Sequence, residues 1–160
     1  MPPIAVRGSV ADRADVEVRA FSEADRTAVV ALWARADLTR PWNDPRRDID
    51  RKLAIDPNGL LVGIVDDRVV ATAMAGYDGH RGWVNYLAVD PDLWGNGLGA
   101  LMMAAAIRLL EDRGCPKVNV QVRTDHPGAV DFYRAIGFEP DDVVSLGRRL
   151  VDDGPGDPAG

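Results

Sequence analysis

The stretch DPDLWGNGLGALM, from Asp90 to Met102, sets Gly95, Gly97 and Gly99 at alternate positions directly ahead of a run of Leu, Met and Ala. Glycine inside a helix costs about 1 kcal/mol relative to alanine, so glycines clustered before a strong helix former indicate that bare backbone is wanted there. The first NH groups of a helix have no partner within it and lie at the positive end of its dipole. The backbone of Gly95, Asn96, Gly97, Leu98, Gly99 and Ala100 is therefore suited to hold a phosphate. A single glycine would make a tight turn; three in five residues favour the anion site. GNGLGA also satisfies the looser G-x-G-x-x-A form of the dinucleotide fingerprint, the signature of a nicotinamide-nucleotide oxidoreductase. Against it, Asp90 to Trp94 separate the strand-like YLAV from Gly95, whereas that fingerprint follows its strand almost at once.

The turn needs elements to hold it. The chain has 160 residues, 46% hydrophobic and 28% charged, which suits one globular domain with a real core. No segment approaches the ~20 apolar residues of a membrane span, so no membrane partner is expected. A net charge of −6 argues against nucleic acid, because a phosphate backbone would be repelled. Cys115 is the lone cysteine and cannot form an internal disulfide. Met1 to Asp15 also lacks a signal-peptide layout, so a cytoplasmic location is expected. Two histidines and one cysteine, far apart, have no metal-ligand spacing, and no metal is expected.

Residues 1–15 and 152–160 read as a disordered extension and a flexible tail around one domain, 16–151. Within it, VEVRAF alternates as a strand, and Ser22 with Asp25 caps a helix whose apolar face is Val29, Val30, Leu32 and Trp33. Pro45 after Asp44 starts a second helix through RRDIDRKLAI. GLLVGIV and RVVATAMAGY, joined at Asp66 and Asp67, form a hairpin, and GWVNYLAV follows the DGHRG turn as a further strand. A helix to Gly114, a strand KVNVQV, a short helix stopped by Gly137 and a last strand VVSLGRRLV complete the chain. The expected class is α/β, with a mixed, mostly antiparallel sheet, flanking helices and one late parallel crossover.

With these residues in order, the chain resembles the GNAT superfamily of N-acetyltransferases. Gly97 and Gly99 fill the last two required places of its phosphate motif, AVDP ends the central strand, and FYRAIGFE stands for the Tyr-x-x-x-Gly-Phe signature. RPWNDP, GYDGHRG and GCPK look in particular like a small bacterial YpeA-like branch. The resemblance implies a GNAT-like fold in which acetyl-CoA lies between two splayed central strands, NYLAV and VNVQV. It implies a transfer of acetyl directly to a primary amine in a ternary complex. Backbone groups of Leu87, Ala88 and Val89 would pair with the pantetheine arm, and the Leu87 NH would face the thioester oxygen. Two positions depart from the family: Trp94 stands where Arg or Gln is usual, and His126 where an Asn often bonds pantetheine.

The same resemblance makes Tyr133 the general acid, since a phenol with a pKa near 10 stays protonated at neutral pH and can still donate to a departing thiolate. The family's usual Glu is absent from WVNYLAV, leaving Asp78 and His80, with Asp44, as bases acting through water; acidic residues in turns are also common caps. Trp42, Asn43, Asp44 and Tyr86 are expected to contact the acceptor, a small-molecule or peptide amine, although a hydrophobic plug over the first two helices is the more common role for a residue like Trp42. Arg40, Arg46 and Arg47 are interleaved with Asp44, Asp48 and Asp50, so acceptor charge is not legible. Cys115 follows a helix end with no histidine nearby, which disfavours an acyl-enzyme. A contrasting reading is a noncatalytic acyl-CoA-binding regulatory module. The last strand could supply an edge for a homodimer.

Overall fold

Five strands in sequence order make one sheet: β1 (Glu17–Ala20), β2 (Leu60–Val65), β3 (Arg68–Tyr77), β4 (Gly82–Val89) and β5 (Val118–Asn119). A computed structural model describes residues 15–154 of the chain. Most of the expected N-terminal extension and the end of the expected tail lie outside the described residues. Neighbouring strands are antiparallel from β1 to β4, and only β4 and β5 run parallel. A dinucleotide-binding fold would need successive parallel crossovers.

Local chemistry accounts for most of the elements. Asp66 and Asp67 both have positive φ, 48° and 58°, as a two-residue hairpin turn between β2 and β3 requires. The Asp25 carboxylate accepts from the Ser22 NH at 2.9 Å and starts a single 3-10 turn that leads into α1 (Arg26–Arg35). Helix α2 (Pro45–Ile55) has proline in its first turn and Asp44 as N-cap, accepting from the NH groups of Arg46 and Arg47. Helix α3 (Leu98–Asp112) ends before Gly114, at φ 79°, and α4 (Pro127–Ala135) before Gly137, at φ 99°.

Every residue of β2 is buried, because helices cover both faces of the sheet. Val29, Leu32 and Trp33 of α1 and Ile49 of α2 pack on one face with Leu60 and Val62. Met102, Met103, Ala106 and Leu110 of α3 pack on the other with Leu61, Ala71 and Ala73. Each fully buried Leu, Ile or Met contributes about 1.5–3 kcal/mol, so α1 and α3 fix the sheet, and with it the ends of β4.

The C-terminal part departs from the sequence expectation. KVNVQV yields only the two residues of β5, and Val143 to Val151 form no strand. β5 pairs with β4 only at Gly82 and Trp83, then diverges, so residues 120–123 offer no ladder for a further strand to extend. Side chains tie the following segment down instead: Lys117 pairs with Asp141 at 2.9 Å, and the Gln121 amide donates to the Ser145 hydroxyl at 2.6 Å. Leu146, at 91% exposed, joins Val143, Val144 and Leu150 on the outside of this strap. The strap is anchored within the expected tail, where Asp153, its side chain only 4% exposed, accepts from Arg51 at 2.6 and 2.7 Å.

Candidate active site

The β3–β4 register breaks at the centre of the sheet. Thr72 faces Ala88 and Met74 faces Asn85, so Ala73 opposes both Tyr86 and Leu87, and β4 carries a bulge there. Tyr86 sits at φ 49°, a left-handed conformation that is uncommon for a bulky residue. Its surroundings hold it there. The Tyr86 ring stacks on Trp33 at 3.8 Å and 12°, the Trp33 indole NH donates to the Thr72 hydroxyl at 2.9 Å, and that hydroxyl donates to the Tyr86 carbonyl at 2.8 Å. The Tyr86 hydroxyl donates to Asp48 at 2.6 Å. Burial, followed by this bond to a carboxylate, pushes the Tyr86 phenol above its ordinary range and keeps it protonated.

Beyond the bulge, β4 runs through Ala88 and Val89 into the glycine turn. Gly95 and Gly97 have φ of 83° and 79°, and Gly97 is the N-cap of α3 with no side chain capping it. The NH groups of Gly95, Asn96 and Gly97 donate to no group among the described residues. Those of Leu98, Gly99 and Ala100 begin α3, where no carbonyl four residues back lies within the helix. Such a row of free donors fits a pyrophosphate. Gly99 has a separate reason: a Cβ there would lie 3.2 Å from the Phe132 ring, so its absence lets α4 pack on α3. Trp94, 63% exposed, turns its indole NH back to the Val89 carbonyl at 2.9 Å.

Two cavities adjoin the bulge. The first, about 580 Å3, has Trp42, Asn43, Asp48 and Tyr86 in its wall; the second, about 1240 Å3, lies between the diverging β5 segment, α4 and the strap, with Tyr133 in its wall. Asn85 and Arg123 line both. Tyr133 packs edge-on against Phe132 and Phe138 at 5.0 and 5.5 Å, and burial pushes its phenol above the usual range. Its hydroxyl has no hydrogen-bond partner among the described residues.

Other anticipated residues fall elsewhere. Asp78 and His80 sit in the exposed β3–β4 turn and line neither cavity. Asp78 accepts from the NH groups of Arg81 at 2.7 Å and His80 at 2.8 Å, and these bonds hold its carboxyl below the usual range, which makes it a poor proton acceptor. Asp44 is spent as the α2 cap. His126 is the N-cap residue of α4, its Nε2 3.9 Å from both Asp37 and Asp125. Missed in the sequence were Asp48, Arg51 and Lys52, all lining the first cavity together with Ile55. Their spacing of three, four and seven residues places them on one face of α2, and this was the signal available.

The family model described as Acetyltransferase (GNAT) family matches residues 27–138, spanning α1, the bulge, the glycine turn and α4. The chain belongs to the GNAT acetyltransferase family. An acetyltransferase of Pectobacterium atrosepticum is 44% identical over 138 residues, 86% of this chain and 98% of that protein. One of Yersinia enterocolitica is 43% identical with the same coverage. Among solved structures, Ard1 from Thermoplasma volcanium superposes with TM-score 0.66 at 23% identity, covering 78% of this chain and 83% of its own. An aminoglycoside N-acetyltransferase solved with CoA gives TM-score 0.65 at 18% identity, covering 85% and 95%. These last two share the fold. Family and relatives make this chain an acetyl-CoA-dependent acyltransferase. In this acetyltransferase Cys115 is packed: its thiol donates to the Lys117 carbonyl at 3.3 Å, and a Cβ on Gly82 would lie 2.6 Å from its sulfur. No helix among the described residues is long and apolar enough to cross a membrane.

Proposed function

We propose that this GNAT acetyltransferase moves acetyl from acetyl-CoA directly to a primary amine of a small molecule or peptide, both substrates being bound together. The observation that carries this reading is the meeting of two cavities at Asn85 and Arg123, beside the bulge at Tyr86 and Leu87. One cavity takes the donor's arm and the other the acceptor. Bound acetyl-CoA supplies an activated acetyl group on a thiol leaving group. The NH groups from Gly95 to Ala100 hold the pyrophosphate, while backbone of Leu87, Ala88 and Val89, with His126, guides the pantetheine arm. The bulge sets Leu87 beside Tyr86 opposite the single residue Ala73, out of the regular ladder, and its NH is the donor assigned to the thioester oxygen. The amine attacks in its neutral form, after its ammonium has lost a proton to solvent through the first cavity; as the N–C bond forms and the C–S bond breaks, Tyr133 gives its proton to the departing sulfur and is reprotonated by the proton the nitrogen sheds. Asp78 is engaged by the NH groups of its own turn, and neither it nor His80 is given a role here.

Two measurements on the ligand-free enzyme test the reading: calorimetric titration with acetyl-CoA, and thiol release across a broad panel of amines. Binding in the absence of amine, with thiol release once an amine is supplied, is expected. Binding without release from any amine would favour a noncatalytic acyl-CoA-binding module, and preference for a nicotinamide nucleotide over CoA would revive the oxidoreductase.

A further inference from the structure

Cationic side chains predominate in the wall of the first cavity, each with a carboxylate of its own nearby. Arg40, Arg51, Lys52 and Arg123 line it, against a single carboxylate, Asp48. Three of the four cations are engaged. Arg51 is held by Asp153 and Asp48, Lys52 donates to Asp56 and the Ala75 carbonyl, and Arg40 donates to the carbonyls of Asp37 and Thr39. Arg123 is different. Only its Nε is bonded, to Asp125 at 3.3 Å, and its two terminal nitrogens have no partner among the described residues. Its guanidinium stands 5.8 Å from the centre of the Trp42 ring, which holds the fork in place at the junction of the cavities. Asp48 is fixed in turn by the Tyr86 hydroxyl at 2.6 Å, and Tyr86 by its stack on Trp33.

Resting on the acetyl-transfer reading above, we infer that the acceptor is a small amine that also carries an anionic group, its ammonium received by Asp48 and its anion by the free fork of Arg123. A guanidinium with two unused terminal nitrogens matches a carboxylate or a phosphate, forming two parallel hydrogen bonds. One carboxylate among four cations suits one ammonium. A polyamine or an aminoglycoside would bring several positive charges to a wall whose one lining carboxylate, Asp48, already accepts from Tyr86 and Arg51, so the acceptor class differs from the one named for the aminoglycoside-modifying neighbour.

Thiol release with acetyl-CoA is measured for the α-amino acids, their amides, O-phosphoethanolamine, spermidine and kanamycin. An amino acid or the phosphate amine is expected to exceed its uncharged counterpart or the polycations by about tenfold or more in kcat/KM, the loss of one charge-assisted contact. Amino acids against O-phosphoethanolamine separate the carboxylate from the phosphate. Arg123→Gln should bring the ratio of anionic to neutral amine down by a similar factor, chiefly through KM, and Asp48→Asn should raise KM for every amine. Preference for spermidine or kanamycin, or a ratio unchanged in Arg123→Gln, overturns the assignment and leaves acetyl transfer standing. No release from any amine, with acetyl-CoA bound in calorimetry, overturns both.

Discussion

Tyr133 and Tyr86 illustrate two uses of a buried phenol. Tyr133, in the wall of the larger cavity, has a hydroxyl with no partner among the described residues, and the proposed mechanism uses that proton on the leaving group. Tyr133→Phe should lower turnover at saturating substrates by about 100-fold or more, the usual size of a general-acid contribution, with little change in acetyl-CoA affinity by calorimetry. Equal turnover would remove Tyr133 from the chemistry. Tyr86 uses its hydroxyl on Asp48 and its ring on Trp33, whose indole NH ends on Thr72. Thr72→Val keeps the shape but strands that indole NH and the Tyr86 carbonyl, so unfolding by denaturant should show a loss of about 1–3 kcal/mol. Cys115→Ser should retain activity, because the thiol is packed and bonds only the Lys117 carbonyl.

The glycine turn is the element that was most legible, because its message is local: spacing of glycines, then helix formers. The β2–β3 hairpin and the start of α2 were legible for the same reason, being written in Asp66, Asp67, Asp44 and Pro45. The extent of β5 and the absence of a last strand were not, since a ladder depends on an edge formed elsewhere in the chain, and β5 leaves β4 after Trp83. Of the residues singled out in the sequence, Trp42, Asn43, Tyr86 and Tyr133 line the cavities, whereas Asp78, His80, Asp44, His126, Leu87 to Val89 and Gly95 to Ala100 do not. Turn acids are indistinguishable in sequence from caps until their backbone partners are seen. The charges of residues 40–51 likewise became informative only when α2 turned Asp48 and Arg51 inward. Because Gly97 has φ 79°, Gly97→Ala should strain the turn by about 1 kcal/mol and weaken acetyl-CoA binding measured by calorimetry, while Gly114→Ala, equally strained but remote, should spare it.

At the scale of the molecule, carboxylates paired with arginine tie the elements together. Hydrogen bonds from Arg19 hold Asp25 below the usual carboxylate range, and those from Arg113 do the same for Asp56, which joins the end of α2 to the end of α3. Because their folded pKa values lie under the unfolded value of about 3.9, the unfolded chain takes up protons first on acidification. The stability they contribute is complete above about pH 4 and is lost as pH falls through the folded values. Asp56→Asn should therefore cost about 1–2 kcal/mol at pH 7, and the gap to the unmodified chain should narrow near pH 3 in denaturant unfolding.

The same whole-molecule arrangement sets the free NH groups before α3 on one side of the bulge and the two cavities on the other. A crystal structure of the enzyme with CoA tests this most directly. The account predicts pyrophosphate oxygens within hydrogen-bonding distance of the NH groups between Gly95 and Ala100, and the thiol end beside Leu87 and Tyr133. A pyrophosphate bound elsewhere, with that turn closed by the protein's own groups, would contradict it.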